Sequence, residues 1–128
     1  MKAVELGRIG EEYAVSYLQQ AGLRVATRNF HSAFGEIDII AENEQYIVFV
    51  EVKTRAQNCL GAPADAVGRQ KQRRIIKTAA CYLLEHPCEL QPRFDVIEIL
   101  TASDGKVISC NHFKNAFWAQ SGADVFCL

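Results

Sequence analysis

The chain has 128 residues, of which 49% are hydrophobic and 23% charged, a composition typical of a globular domain long enough to bury a core. Its formal net charge of −1 does not favour nucleic-acid binding overall, because Lys and Arg that neutralise phosphates drive most such binding. The first residues lack the apolar segment of a signal peptide, and no apolar run approaches the roughly 20 residues of a membrane helix. We therefore expect a cytoplasmic protein with no membrane partner.

The apolar pattern predicts the element order α-β-β-β-α-β-β, an α/β fold with a mixed sheet flanked by helices. The predicted elements are a helix over residues 7–21, strands over 23–30, 36–42 and 46–54, a helix over 64–85, and strands over 93–100 and 107–113. Gly22 is expected to end the first helix, and Asp104-Gly105 predicts the last hairpin turn. We expect a single domain over residues 1–117, followed by a tail over 118–128 whose structure the pattern does not indicate.

The five cysteines carry no recognisable motif. Their number is odd and no Cys-x-x-Cys pair suggests a zinc site, so free thiols in a reducing compartment are expected. They are Cys59, Cys81, Cys88, Cys110 and Cys127.

The second and third predicted strands carry charge where a buried strand would be apolar. The two runs are Gly35-Glu36-Ile37-Asp38-Ile39-Ile40 and Phe49-Val50-Glu51-Val52-Lys53-Thr54-Arg55. Because alternate side chains of a strand share a face, Asp38 is expected to point with Glu36 and Ile40, and Ile37 and Ile39 the other way. Glu51 and Lys53 share a face for the same reason. We predict that Asp38, Glu51 and Lys53 meet on one side of the hairpin, where they suit a divalent metal and an anionic reacting group.

The first helix offers a further carboxylate. Glu11 lines up with the stripe that must pack on the sheet, whereas Glu12 lines up with polar residues. A buried ionised carboxylate is costly unless it is paired or binds a metal, so Glu11 is predicted to join the site. Simpler alternatives stay open at each position: a carboxylate that favours the helix macrodipole for Glu11, an exposed aspartate for Asp38, and a surface ion pair for Glu51 and Lys53.

Basic residues are concentrated in the second predicted helix, apart from the acidic cluster. A basic helix beside an acidic pocket suits a metal-dependent enzyme that acts on a polyanion. The alternative interpretation is that these basic residues simply form the solvent-exposed face of the helix. The residues predicted to bind nucleic acid are Arg55, Arg69, Lys71, Arg73, Arg74 and Lys77.

In this order the residues resemble the PD-(D/E)xK nucleases, and most of all the YraN family of predicted endonucleases, which is related to archaeal Holliday-junction resolvases. The resemblance extends over nearly all of the chain up to Phe117, although Ile37 stands where the family name has proline. It implies a restriction-endonuclease-like mixed sheet flanked by helices. Its motifs are Gly10-Glu11, the two strand runs above, Lys71-Gln72-Arg73-Arg74-Ile75, Arg93-Phe94-Asp95-Val96 and His112-Phe113-Lys114-Asn115-Ala116-Phe117.

The resemblance also implies roles at matching positions. Asp38 and Glu51 would ligate Mg²⁺ or Mn²⁺, with the backbone carbonyl of Val52 as a further ligand. Lys53 would orient or deprotonate the attacking water and stabilise charge on the phosphate, and Glu11 would complete the metal site directly or through water. Glu36 and Gln70 would lie just outside these groups.

The predicted function is phosphodiester hydrolysis by a metal-dependent, structure-directed DNA endonuclease. Branched DNA is the expected substrate, because the sequence shows no helix suited to reading the major groove and no aromatic ladder for stacking bases. Resolvase relatives act as dimers, so a homodimer is a further expectation. Two alternatives stay open: a nucleic-acid-binding protein with a nuclease-like fold and little or no turnover, and an interaction module whose basic helix binds an acidic partner.

Overall fold

The computed structural model describes residues 1–57 and 67–118, and its elements follow the predicted order. Residues 58–66 and 119–128, with Cys59, Cys127 and most of the predicted loop and tail, lie outside the described residues. No helix in the described part of the chain is long and apolar enough to cross a membrane. The elements are α1 (Ala3–Gln20), β1 (Arg24–His31), β2 (Glu36–Glu42), β3 (Tyr46–Ala56), α2 (Arg69–Glu85), β4 (Gln91–Thr101) and β5 (Val107–Phe117).

Most element boundaries fall close to the predicted ones. Gly22 has a φ of 92° and Gly105 a φ of 90°, as expected at a helix end and a hairpin turn. The largest difference among the described residues is the start of α2, which was predicted at residue 64. Val67 is buried but not helical, and the extended backbone of Gly68 (φ −63°, ψ 156°) is the N-cap, so α2 begins at Arg69.

The five strands form one mixed sheet in the order β1-β2-β3-β4-β5. Only β3 and β4 are parallel, and they pair along their whole lengths, while the other neighbours are antiparallel. A parallel pair needs a crossover connection, and α2 lies in that connection. The two helices pack against different hydrophobic clusters: Ile75, Ala79 and Tyr82 of α2 in one, Ala14 and Leu18 of α1 in the other. The predicted mixed α/β fold is confirmed.

The alternation predicted for the start of β2 is wrong at Ile37, which was expected to share a face with Ile39. Ile37 packs with Ile40 in the cluster that contains α2, whereas Ile39 packs in the cluster that contains α1. Arg28 pairs with Ile39 and Phe30 with Ile37 in one register, and the residue of β1 between them, Asn29, has a left-handed φ of 54°. The two β2 neighbours of Asp38 thus face opposite layers, which departs from regular alternation.

Helix α1 packs directly on β3 because Gly10 has no side chain. A Cβ atom added at Gly10 would lie 1.8 Å from Oγ1 of Thr54 and 2.8 Å from its Cβ, so rotating the threonine side chain would not clear the contact. This close approach brings the next residue, Glu11, to the edge of the predicted site.

The Gly10→Ala substitution should therefore destabilise the protein. We expect the free energy of unfolding to fall by about 1–2 kcal/mol, since overpacking costs more than the ~1 kcal/mol that alanine gains in helix propensity. Gly7→Ala is the matched control, because a Cβ there has nothing within 4 Å, and it should stabilise by about 0.5–1 kcal/mol. Urea unfolding of both variants measures the difference, and equal stabilities would contradict the close packing.

Candidate functional site

Strands β2 and β3 separate at the point where the predicted site lies. Their ladder ends at the pair of Ile39 with Val50. Beyond it, the backbone N–H of Val52 donates a 2.8 Å hydrogen bond to Oδ2 of Asp38, so a side chain spans the gap that the ladder leaves. The N–H and C=O of one strand residue point to the same side, and the carbonyl of Val52 therefore also faces this gap.

Two carboxylates lie together at this fork between β2 and β3. The partly buried side chain of Asp38 lies beside that of Glu51, which is buried. Burial and the negative charge of Glu51 raise the pKa of Asp38 from 3.8 to about 7, although the hydrogen bond from Val52 acts in the opposite direction. The charge of Glu11 raises it further and that of Lys71 lowers it. The negative charge of the carboxylates at this site therefore exceeds the positive charge of the cations beside them.

Lys71 enters this cluster from α2, a contact that the sequence pattern did not predict. Its Nζ lies 2.5 Å from Oε1 of Glu51. Burial alone would lower the pKa of Lys71, but the hydrogen bond to Glu51 and the charges of Glu51, Asp38 and Glu36 raise it above its usual value. The sequence placed Lys71 among residues that bind DNA phosphates; the structure adds a contact with an acidic site residue.

Glu11 and Glu12 differ as predicted from the helix periodicity. The side chain of Glu11 is 19% exposed and that of Glu12 is 60% exposed. Arg28 pairs with Glu12 at 2.8 Å but lies 3.6 Å from Oε1 of Glu11, which is buried without a hydrogen-bond partner among the described residues. A buried carboxylate oxygen that lacks a donor is costly, and a metal-bound water is one group that could satisfy it.

The remaining predicted residues surround the fork at different depths. Lys53 and Arg55 are partly buried, and Lys53 lies in register with Glu98 of β4. Glu36 is largely exposed and pairs with His31 at 3.3 Å, while its charge also acts on Lys71. Among the predicted residues of α2, the exposed ones are Arg69, Gln70, Lys71, Arg73 and Arg74, and Lys77 lies 5.4 Å from the ring centre of Phe34.

The donor set fits a hard divalent cation bound mainly through oxygen. Within residues 1–57 and 67–118, no three His, Cys, Asp or Glu side chains come together as a metal-binding group. Asp38, Glu51 and the carbonyl of Val52 would hold the ion, and this arrangement favours a water-mediated role for Glu11 over direct ligation. Mg²⁺ suits such a site, because it is usually bound by one or two carboxylates and keeps several waters.

A second buried charge cluster ties β4, β5 and α1 together. Arg93 donates two hydrogen bonds to the fully buried carboxylate of Asp95, at 3.0 and 2.9 Å, and the backbone N–H of Asn115 donates a third at 2.9 Å. Nε2 of His112 lies 2.7 Å from the same carboxylate, and its Nδ1 lies 2.9 Å from the hydroxyl of Tyr17. Burial would raise the pKa of Asp95, but its three partners hold it below the usual value.

The cluster around Asp95 was not predicted from the sequence, although the position of Asp95 in an apolar strand indicated it. Asp95 interrupts the apolar strand Phe94-Asp95-Val96-Ile97 in the same way that Asp38 interrupts β2. Aspartate is depleted in strands, so each position marked a carboxylate that needs partners. Only the three-dimensional structure separates them: the Asp95 carboxylate is enclosed by protein donors, while that of Asp38 has one amide and two acidic neighbours.

Comparisons with known proteins agree with one another. The model of the uncharacterised protein family UPF0102 matches residues 10–99. A UPF0102 protein of Syntrophotalea carbinolica is 43% identical over 115 residues, which cover 89% of this chain and 92% of that protein. A UPF0102 protein of Persephonella marina is 45% identical over 112 residues, which cover 87% of this chain and 91% of that protein. A UPF0102 protein of Dictyoglomus thermophilum is 37% identical over 118 residues, which cover 91% of this chain and 100% of that protein.

Proposed function

The chain belongs to the UPF0102 (YraN) family, and from that premise we propose that it is a metal-dependent, structure-directed DNA endonuclease. The observation that carries the proposal is the fork: Asp38 is fixed by the amide of Val52 beside the buried Glu51, with its pKa raised to about 7. Two carboxylates that destabilise each other are stabilised when a divalent cation binds both.

The residues around the fork supply complementary parts of phosphodiester hydrolysis. A bound Mg²⁺ would polarise the phosphoryl group and lower the pKa of an attacking water. Asp38 and Glu51 hold the cation. Lys53, two residues after Glu51 on the same strand, offsets the negative charge that develops on the phosphate. The exposed basic residues of α2 bind the sugar–phosphate backbone, which positions DNA without reading its sequence.

Branched DNA is the substrate class that we favour. Five of the six residues predicted to bind nucleic acid lie on α2, next to the acidic fork, where they are suited to phosphates of a bent or opened duplex. The sheet neighbours of the fork offer buried apolar side chains rather than exposed aromatic rings on which bases could stack.

Cleavage of a labelled four-way junction and a matched linear duplex, with Mg²⁺ or Mn²⁺, tests the proposal. We expect cleavage of the junction that EDTA abolishes, and a loss of about 10²–10³-fold in rate for Lys53→Ala, because the charge on the phosphate is then no longer offset. Lys106→Ala removes the same charge from an exposed turn and should cleave normally. Equal cleavage by the wild type and Lys53→Ala would assign the activity to a contaminant.

A DNA-binding protein with little or no turnover is the second candidate, and the lack of a three-residue metal group among the described residues favours it. In that case junction binding survives Glu51→Ala and weakens when Arg73 and Arg74 are both replaced by Ala. The dependence of log K on log salt should then become shallower by about one unit for each phosphate that the variant no longer neutralises. Absence of any salt-sensitive DNA binding would contradict both candidates and favour an interaction module.

A further inference from the structure

We propose that Lys71 serves two partners in turn: it neutralises Glu51 in the metal-free protein, and it contacts the DNA backbone once a divalent cation has replaced it at that carboxylate. The inference rests on the proposed function. It adds to that function a substrate-binding residue whose availability depends on the metal.

The burial of the two partners differs sharply. The side chain of Glu51 is 8% exposed, whereas that of Lys71 is 52% exposed, so the lysine reaches into the site from solvent. An ion pair with one well-hydrated partner contributes little net stability, and a lysine has a flexible four-carbon stem. Withdrawing the ammonium group from Glu51 therefore costs little, provided that another cation takes its place.

The charges around the fork favour such an exchange. Glu51 and Asp38 act on each other, Glu11 adds a third negative charge, and Lys71 is the cation in contact with Glu51. A divalent cation bound to the same carboxylates supplies two positive charges and repels the ammonium group of Lys71. Metal and lysine thus compete for Glu51.

The position of Lys71 on α2 gives the released side chain a second role. It lies in the first turn of that helix, which has no acidic residue and no side-chain cap. Positive side chains are unfavourable at a helix N-terminus, and a bound anion offsets them there. Arg69, Arg73 and Arg74 are exposed on the same helix, so a released Lys71 joins a surface that already attracts phosphate.

A permanent structural ion pair is the competing interpretation, and metal affinity separates the two. We expect Lys71→Met to bind Mg²⁺ about fivefold more tightly or better in isothermal titration, because the competitor is gone. Arg73→Met removes the same charge from an exposed position two residues away, and it should change the affinity less than about twofold. Equal or weaker Mg²⁺ binding by Lys71→Met would overturn the inference.

DNA binding gives an independent readout. In a Lys53→Ala background, which slows cleavage by about 10²–10³-fold, Lys71→Met should make the salt dependence of junction binding shallower by about one phosphate when Mg²⁺ is present. In EDTA the two slopes should be equal, because Lys71 is then engaged by Glu51. A slope that changes equally in both buffers would overturn the exchange, since Lys71 would then contact DNA regardless of metal.

The wild-type protein supplies a measurement that does not depend on a variant folding. With ¹³C-labelled lysine, the Cε signal of Lys71 in the wild type should shift when Mg²⁺ is added. If wild type binds Mg²⁺ and cleaves DNA but this signal stays in place, only the Lys71 inference fails. If wild type binds no Mg²⁺, both the inference and the proposed nuclease fail.

Discussion

Asp38→Asn should abolish metal-dependent cleavage and at the same time stabilise the metal-free protein at pH 8. The amide oxygen of the new side chain can still accept the hydrogen bond from Val52, so the fork keeps its geometry while the buried charge disappears. The pKa of Asp38 is raised from 3.8 to about 7, and ionising it in the folded state therefore costs up to about 4 kcal/mol. The variant avoids this cost and loses the affinity for a divalent cation.

The pH dependence of this difference has a definite sign. Because its folded pKa is raised, wild-type Asp38 binds more protons when folded than when unfolded between pH 3.8 and about 7. Its contribution to stability is fully present below pH 3.8 and is lost as the pH rises to about 7. The amide of the Asp38→Asn variant does not titrate, so the stabilities of the two proteins should converge near pH ~4 and diverge by pH ~8.

Urea unfolding across this range, in EDTA, measures the effect. Glu12→Gln, which removes an exposed carboxylate from α1, serves as the control and should track the wild type. Adding Mg²⁺ at pH 8 should stabilise the wild type but not Asp38→Asn, since ligand binding to the folded state alone raises stability. A variant that is less stable than wild type at pH 8 without metal would contradict the buried-charge account of the fork.

Asp95→Ala should strongly destabilise the protein, although the residue lies outside the predicted site. It removes a fully buried carboxylate that accepts hydrogen bonds from Arg93, His112 and the backbone of Asn115. Breaking a buried ion pair by deleting one partner costs about 3–5 kcal/mol, because the other charge is left without compensation. Thermal and urea unfolding should show this loss, and the loss should be smaller in acid.

The acid dependence follows from the lowered pKa of Asp95. A carboxyl group whose folded pKa lies below its unfolded value contributes stability above pH 3.8, and this contribution is lost as the pH falls through the folded pKa. Asp104→Ala is the matched control: Asp104 is exposed and accepts one hydrogen bond from the backbone of Lys106, so its loss should cost less than about 1 kcal/mol. Similar losses for both aspartates would contradict the buried network.

Much of the fold was predictable because hydrophobic periodicity is a local signal. The β2 boundaries matched the pattern, and Gly22 and Gly105 marked turns through their backbone freedom alone. The start of α2 was not predictable in the same way. In the sequence, Val67 fits the apolar stripe of the helix, and it packs in the same hydrophobic cluster as α2. Its backbone nevertheless precedes the helix, and a buried apolar residue in the helix cannot be distinguished from one just before it by burial alone.

Three of the predicted site residues, Asp38, Glu51 and Glu11, lie near one another, but their geometry was only partly predictable. The alternation of side chains along a strand predicted that Asp38 lies near Glu51. The same rule failed for Ile37, which lies beyond the last pair of the β2–β3 ladder and faces the other layer. Helix periodicity correctly separated Glu11 from Glu12. The contact of Lys71 with Glu51 joins residues of α2 and β3 across the sheet face, and no local pattern encodes such a contact.

The hydrogen bond between Tyr17 and His112 gives α1 an anchor that lies far along the chain. The two residues are 95 positions apart in the chain, and contacts of such separation form late because their loop must close first. Helix α1 also carries Glu11, so the helix that contributes to the fork is held in part by a strand near the other end of the described chain. During synthesis, Gly10 can pack on Thr54 as soon as β3 is available, whereas the contact of Tyr17 forms only after His112 has emerged.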